Sequence, residues 1–128
     1  MRFLLDTHIV LAALEGIDAV DKFAREALSR KDATFFVSVA SIWEIAIKYR
    51  LGKLALNQSP ATLPARFQSM SLKLLLINEH HALAEIDPEP ATRDPFDRLL
   101  LAQCQIEDLR LVTLDRALVT HPLAWRRA

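Results

Sequence analysis

Four short apolar runs recur along the chain, separated by segments of helical periodicity, and this alternation narrows the fold most. The runs are Phe3–Leu5, Thr34–Val37, Leu72–Ile77 and Leu109–Thr113. Each is leucine-rich, aromatic or β-branched and short, which is the pattern of strands buried on both faces. Helices are predicted between them. The first spans Ile9–Leu14, with Gly16 just past its end. A second runs from a cap at Asp18 to about Ser29. A third covers 40–51, carries Ile42, Ile45, Ala46 and Tyr49 as its apolar stripe, and is stopped by Gly52. Further helices are predicted over 65–70, from Asn78 to about Ile86, and from Asp94-Pro95 to about Glu107, where proline takes the favoured first helical position. The order predicts one α/β domain over residues 1–128. Its central sheet should be mostly parallel, with helices on both faces making three layers. An apolar fraction of 52% is ample for such a core.

Charge and cysteine use bound the function. Sixteen Lys and Arg balance sixteen Asp and Glu, so no global field gathers nucleic acid and any RNA contact must rest on local patches. Cys104 is the one cysteine, which leaves no internal disulfide and no sign of an oxidising compartment. An acid at position 6 comes too early for a signal peptide. The longest apolar runs are too short to span a bilayer. These features predict a cytoplasmic protein without a membrane contact.

In open parallel sheets, ligands bind beyond the carboxyl ends of the strands. Asp6 directly follows the first predicted strand, and Asp115 follows the last. Glu44 lies one turn into the helix after the second strand. Asp97 lies in the first turn of the helix opened by Asp94-Pro95. Four acids from four distant segments are thus predicted to meet at one edge. Clustered carboxylates repel and need a cation. An all-oxygen set points to Mg2+, with Mn2+ as a substitute. Such an ion binds phosphates and activates water, which predicts metal-assisted phosphodiester hydrolysis.

Each acid also has a structural reading. Glu44 completes a possible capping box with Ser41 and stands four residues before Lys48. Asp97 favours its helix's dipole, and Asp115 suits a turn. Asp6, at the end of an apolar strand, is hardest to explain structurally. Thr113 is expected to support the site, and Asp94 to cap its helix beside Asp97. Lys48, Arg93, Arg98 and Arg116 either meet phosphates or balance the acids. Thr7 is left open, and His8 is read as a helix-start residue. His80, His81 and His121 lack metal-ligand spacing and are expected at the surface. Cys104 reads as a small core residue. Trp125-Arg126-Arg127 is considered as an RNA contact.

Four motifs give the chain a resemblance to the PIN-domain family, specifically the VapC-like toxins of bacterial toxin–antitoxin pairs. They are Phe3-Leu4-Leu5-Asp6-Thr7-His8, Ser38-Val39-Ala40-Ser41-Ile42-Trp43-Glu44-Ile45, Arg93-Asp94-Pro95-Phe96-Asp97-Arg98 and Leu111-Val112-Thr113-Leu114-Asp115. Each motif alone is weak, but their order and spacing are specific, and they cover nearly the whole chain. The resemblance implies a PIN-like fold and a Mg2+-dependent endoribonuclease held inactive by a cognate antitoxin. It also implies a homodimer, with metal held chiefly by Asp6 and Asp97 and with Glu44 and Asp115 completing the acidic pocket. Many relatives carry His where Thr92 stands, a departure outside the acidic set. Two other classes are weighed. A phosphatase with an aspartate nucleophile expects a second Asp two residues after Asp6, where His8 stands. A non-catalytic PIN-like binding module has no reason to keep four repelling carboxylates.

Overall fold

A computed structural model describes residues 1–126 of the chain. Four strands, β1 (Arg2–Leu5), β2 (Thr34–Ser38), β3 (Leu72–Leu75) and β4 (Arg110–Val112), form one sheet in the order β3-β2-β1-β4. All three pairings are parallel. The chain builds outward from β1 to β3, then returns to place β4 on the opposite side of β1. The switch point therefore lies between the carboxyl ends of β1 and β4. The outer edge of β4 is covered by the following segment. Leu111 N–H donates to the carbonyl of Leu123, and Trp125 N–H donates to the carbonyl of Leu111, each at 2.8 Å.

Among the described residues there are six α-helices: α1 (Thr7–Glu15), α2 (Lys22–Leu28), α3 (Val39–Arg50), α4 (Leu63–Ser69), α5 (Glu79–Leu83) and α6 (Pro95–Glu107). The period-two alternation of β1 divides the core. Phe3 and Leu5 join Val37 and Val112 in a cluster with Ile9, Val10, Ala24, Ala27, Ile45, Leu63 and Phe67, contributed by α1 to α4. Leu4 and Leu111 face the other way, into a cluster with Leu100, Leu101 and Cys104 of α6. The predicted three layers are present. Burying each such Leu, Ile or Phe stabilises the fold by about 1.5–3 kcal/mol. Cys104 is fully buried, as a small core residue should be.

Several expected boundaries shift for local reasons. The helix expected from Asp18 becomes a 3-10 turn over Ile17–Ala19, followed by α2, whose cap is Asp21. Ser38, not Ser41, caps α3, accepting from Ala40 N–H at 3.0 Å. The helix after Asn78 ends at Leu83 rather than near Ile86. Two histidines expected at the surface are inside. His81 is buried against Glu107 at 2.9 Å, and His121 is buried with Nε2 2.8 Å from the carbonyl of Pro88. Only His80 is exposed as expected. Among the described residues no helix is long and apolar enough to cross a membrane.

Candidate active site

Asp6 directly follows β1 and caps α1, so one carboxylate holds the strand-to-helix junction. Its Oδ1 accepts from Thr7 N–H at 2.8 Å, and its Oδ2 accepts from the Thr113 hydroxyl at 2.6 Å. Thr113 comes from the end of β4, so this bond ties the two central strands together at the switch point. The Thr113 oxygen also accepts from Asp115 N–H at 3.1 Å. Asp115 in turn accepts from Ala117 N–H at 2.8 Å and fixes the turn beyond β4. His8 spans the same junction. Its Nε2 accepts from Leu114 N–H at 3.1 Å, so a neutral ring carries its proton on Nδ1, 3.4 Å from Asp6 Oδ2.

The second half of the site comes from α3 and α6. Asp94 caps α6, its Oδ1 accepting from the N–H groups of Phe96 and Asp97. Asp97 then sits on the first turn, its Oδ2 accepting from the Thr92 hydroxyl at 3.1 Å. Glu44 stands on α3, where its Oε2 lies 2.7 Å from Lys48 Nζ one turn later. The hydroxyl of buried Thr7 donates to Ser41 at 2.9 Å and locks α1 against α3.

These elements enclose a cleft of about 210 Å³ lined by Asp6, Thr7, His8, Leu11, Glu44, Lys48, Asp94, Asp97 and Asp115. All four predicted acids reach it, from four segments far apart in sequence. Thr113 stands behind Asp6, and Asp94 lies in the cleft as well as capping α6. Arg98 turns elsewhere. It donates to the carbonyl of Thr92 at 3.1 Å and pairs with Glu89 at 2.7 Å, on the wall of a separate groove. Arg93 and Arg116 are exposed and do not line the cleft. Trp125 and Arg126 line a cavity at the amino end of the strands with Met1 and Arg110, away from the acids; Arg127 lies outside the described residues.

The electrostatics show crowding. Burial pushes the Asp6 carboxyl above its usual range, against the lowering pull of Thr113, His8 and the Thr7 N–H. Asp97 is pushed up to about 6, first by desolvation and then by the charges of Asp94 and Asp6, with Asp115 adding a little. The Lys48 ammonium is also pushed up, which for a base favours the charged form. Its bond to Glu44 and the fields of Asp94 and Asp97 hold its ammonium charged. Among the described residues no group of three His, Cys, Asp or Glu side chains stands in coordinating geometry. The acids line one cleft but remain apart, as like charges do. Their donor chemistry nevertheless suits a hard divalent ion, because the acids offer only oxygen.

Three participants were not legible as such. Thr92 read as a departure from a family pattern, yet its hydroxyl orients Asp97. Its signal was position, two residues before a helix cap. His8 is the helix-start residue it read as, in the first turn of α1, and its ring also reaches the backbone just beyond β4. Ser41 read as a capping residue and is a buried partner of Thr7.

Comparison with known proteins gives a consistent picture. The chain matches the PIN domain over residues 3–121. No curated protein matches it. Among solved structures, it resembles a chain of the VapBC2 complex of Rickettsia felis bound to a DNA fragment from its promoter. That likeness has a TM-score of 0.65 at 18% identity and covers 97% of this chain and 96% of that one. It also resembles a chain of a toxin–antitoxin complex from Klebsiella pneumoniae, with a TM-score of 0.63 at 17% identity over 96% of this chain and 95% of that one. At such identities the likeness concerns the fold. Together with the domain match across nearly the full length, it leads to one conclusion: the chain belongs to the PIN-domain family.

Proposed function

We propose that the protein is a divalent-metal-dependent endoribonuclease that acts in the cytoplasm as the toxin of a toxin–antitoxin pair. The observation carrying this reading is the cleft at the switch point, where carboxylates from four distant segments share about 210 Å³. Keeping Asp97 ionised there at neutral pH costs free energy, since its carboxyl is held up to about 6. A pure scaffold gains nothing from that cost, whereas a cation-binding site needs it.

Asp6 and Asp97 would hold Mg2+ or Mn2+, with Glu44 and Asp115 completing the set. When bound, the ion supplies affinity for a phosphodiester and an activated water for its hydrolysis. The chain's own residues prepare the donors. Thr113 and the Thr7 N–H fix both oxygens of Asp6, so it cannot swing out of the cleft. Thr92 does the same for one oxygen of Asp97. His8 keeps the end of β4 against Asp6.

RNA is the proposed substrate and a cognate protein antitoxin the proposed partner. The fold shared with chains from two toxin–antitoxin complexes supports that partner. A homodimer is the proposed free state. The direct test is incubation of purified protein with RNA, Mn2+ or Mg2+, and then excess chelator. Cleavage is expected only with metal and should leave 5′-phosphate and 3′-hydroxyl ends, because water rather than the ribose 2′-hydroxyl attacks. Activity that persists in chelator, or 2′,3′-cyclic phosphate ends, would overturn the reading.

A further inference from the structure

The cleft already contains a cation of its own. Among the described residues lining it, Lys48 is the one Lys or Arg, set against five carboxylates. Its ammonium lies 2.7 Å from Glu44 Oε2. The pairing follows from the helix: Glu44 and Lys48 are one turn apart on α3, with the acid on the N-terminal side. What distinguishes it from an ordinary surface pair is where it stands. Only 12% of the Glu44 side chain is exposed, against 50% for Lys48. The lysine thus reaches in from the rim to an acid that is itself largely covered. Asp94 and Asp97, on a different helix, act on the same ammonium.

We propose that Lys48 is a built-in counter-cation that competes with the divalent ion for Glu44 and so sets how tightly the cleft binds metal. This rests on the reading of the cleft as a metal site. With no ion bound, Lys48 neutralises one carboxylate and lowers the repulsion among the rest. For Glu44 to turn an oxygen to an ion, it must give up or share its bond to Lys48. Metal entry therefore displaces the ammonium. The displaced group sits on a flexible four-carbon stem beside the cleft, where a substrate phosphate is its natural new partner. Lys48 on this account acts on the metal through Glu44, by competing for it.

The alternatives make different forecasts. A lysine that merely decorates the helix surface leaves metal affinity unchanged when removed. A lysine that holds Glu44 in place for the ion weakens metal binding when removed. A competing counter-cation, uniquely, strengthens it. The experiment is calorimetric titration of Mn2+ into the full-length wild type, Lys48→Met and Lys48→Arg at low ionic strength. Methionine keeps the length and helix propensity without the charge, and arginine keeps the charge. Lys48→Met is expected to bind Mn2+ roughly 3- to 10-fold more tightly, the scale of one unit charge acting on a dication near a protein surface. Lys48→Arg should stay close to the wild type. Melting curves give a second readout. Without metal, Lys48→Met should melt below the wild type, and saturating Mn2+ should erase or reverse the difference. Unchanged or weaker Mn2+ binding by a folded Lys48→Met would overturn the inference and leave the metal-site reading intact. Absence of Mn2+ binding by the wild type would overturn both.

Discussion

Asp97 shows how the site is held at the scale of one residue. Burial and neighbouring acids raise its carboxyl from 3.8 to about 6. A carboxyl whose folded value lies above its unfolded one favours the protonated fold. Its contribution to stability is full below about pH 3.8 and is lost as pH rises through about 6. Asp97→Asn keeps the shape and removes the charge. In metal-free buffer the variant should therefore melt above the wild type at pH 7.5, with the gap closing as pH falls toward 4. Because the carboxyl is only partly buried, solvent screening keeps the gain to about 0.2–1 kcal/mol. Mn2+ should stabilise the wild type and do little for the variant, since an ion that binds only the folded state adds stability by mass action. If Asp97 merely served the α6 dipole, the variant would melt lower at neutral pH instead.

At the scale of elements, the helix starts do most of the placing. Asp6, Ser38 and Asp94 each cap a helix that leads into the cleft. The cap at Asp6 is legible because an apolar strand ends abruptly at an acid, and the cap at Asp94 because Pro95 follows it; the cap of α3 is not, since Ser41 offers the same chemistry three residues beyond Ser38. Spacing along the chain puts Asp6, Glu44, Asp97 and Asp115 near one edge of the sheet, and all four line the cleft. Side-chain direction was not legible. Nothing in Arg93-Asp94-Pro95-Phe96-Asp97-Arg98 reveals that Arg98 turns back to Glu89 while Asp97 faces the cleft. That choice depends on the loop over residues 87–93, which supplies Glu89 and the Thr92 carbonyl to Arg98 and the Thr92 hydroxyl to Asp97. His81 and His121 were misjudged for a related reason: their burial depends on partners, Glu107 and the carbonyl of Pro88, that lie 26 and 33 residues away. The cap of α3 gives a test at this scale. Ser38 is fully buried and its hydroxyl satisfies Ala40 N–H. Ser38→Ala should cost about 1–2 kcal/mol in chemical denaturation. An unchanged midpoint would show that α3, and with it Glu44 and Lys48, is held by packing alone.

At the scale of the whole molecule, topology makes the site. Because β4 returns to the far side of β1, Asp6 and Thr113 stand together although they are 107 residues apart in sequence. The helices α3 and α6 then bring Glu44 and Asp97 over the same edge. The balanced total charge conceals a concentration of negative charge in one small cleft, which by itself repels RNA. The proposed function therefore requires those acids, acting together, to cut RNA. The measurement that tests this most directly is transcriptome-wide mapping of 5′-monophosphate RNA ends after brief induction of the wild type or of Asp6→Asn, without the neighbouring genes. The account predicts slowed growth and new, discrete cleavage ends with the wild type, and neither with Asp6→Asn at equal soluble level. The same new ends from both proteins, or none from a soluble wild type, would contradict it.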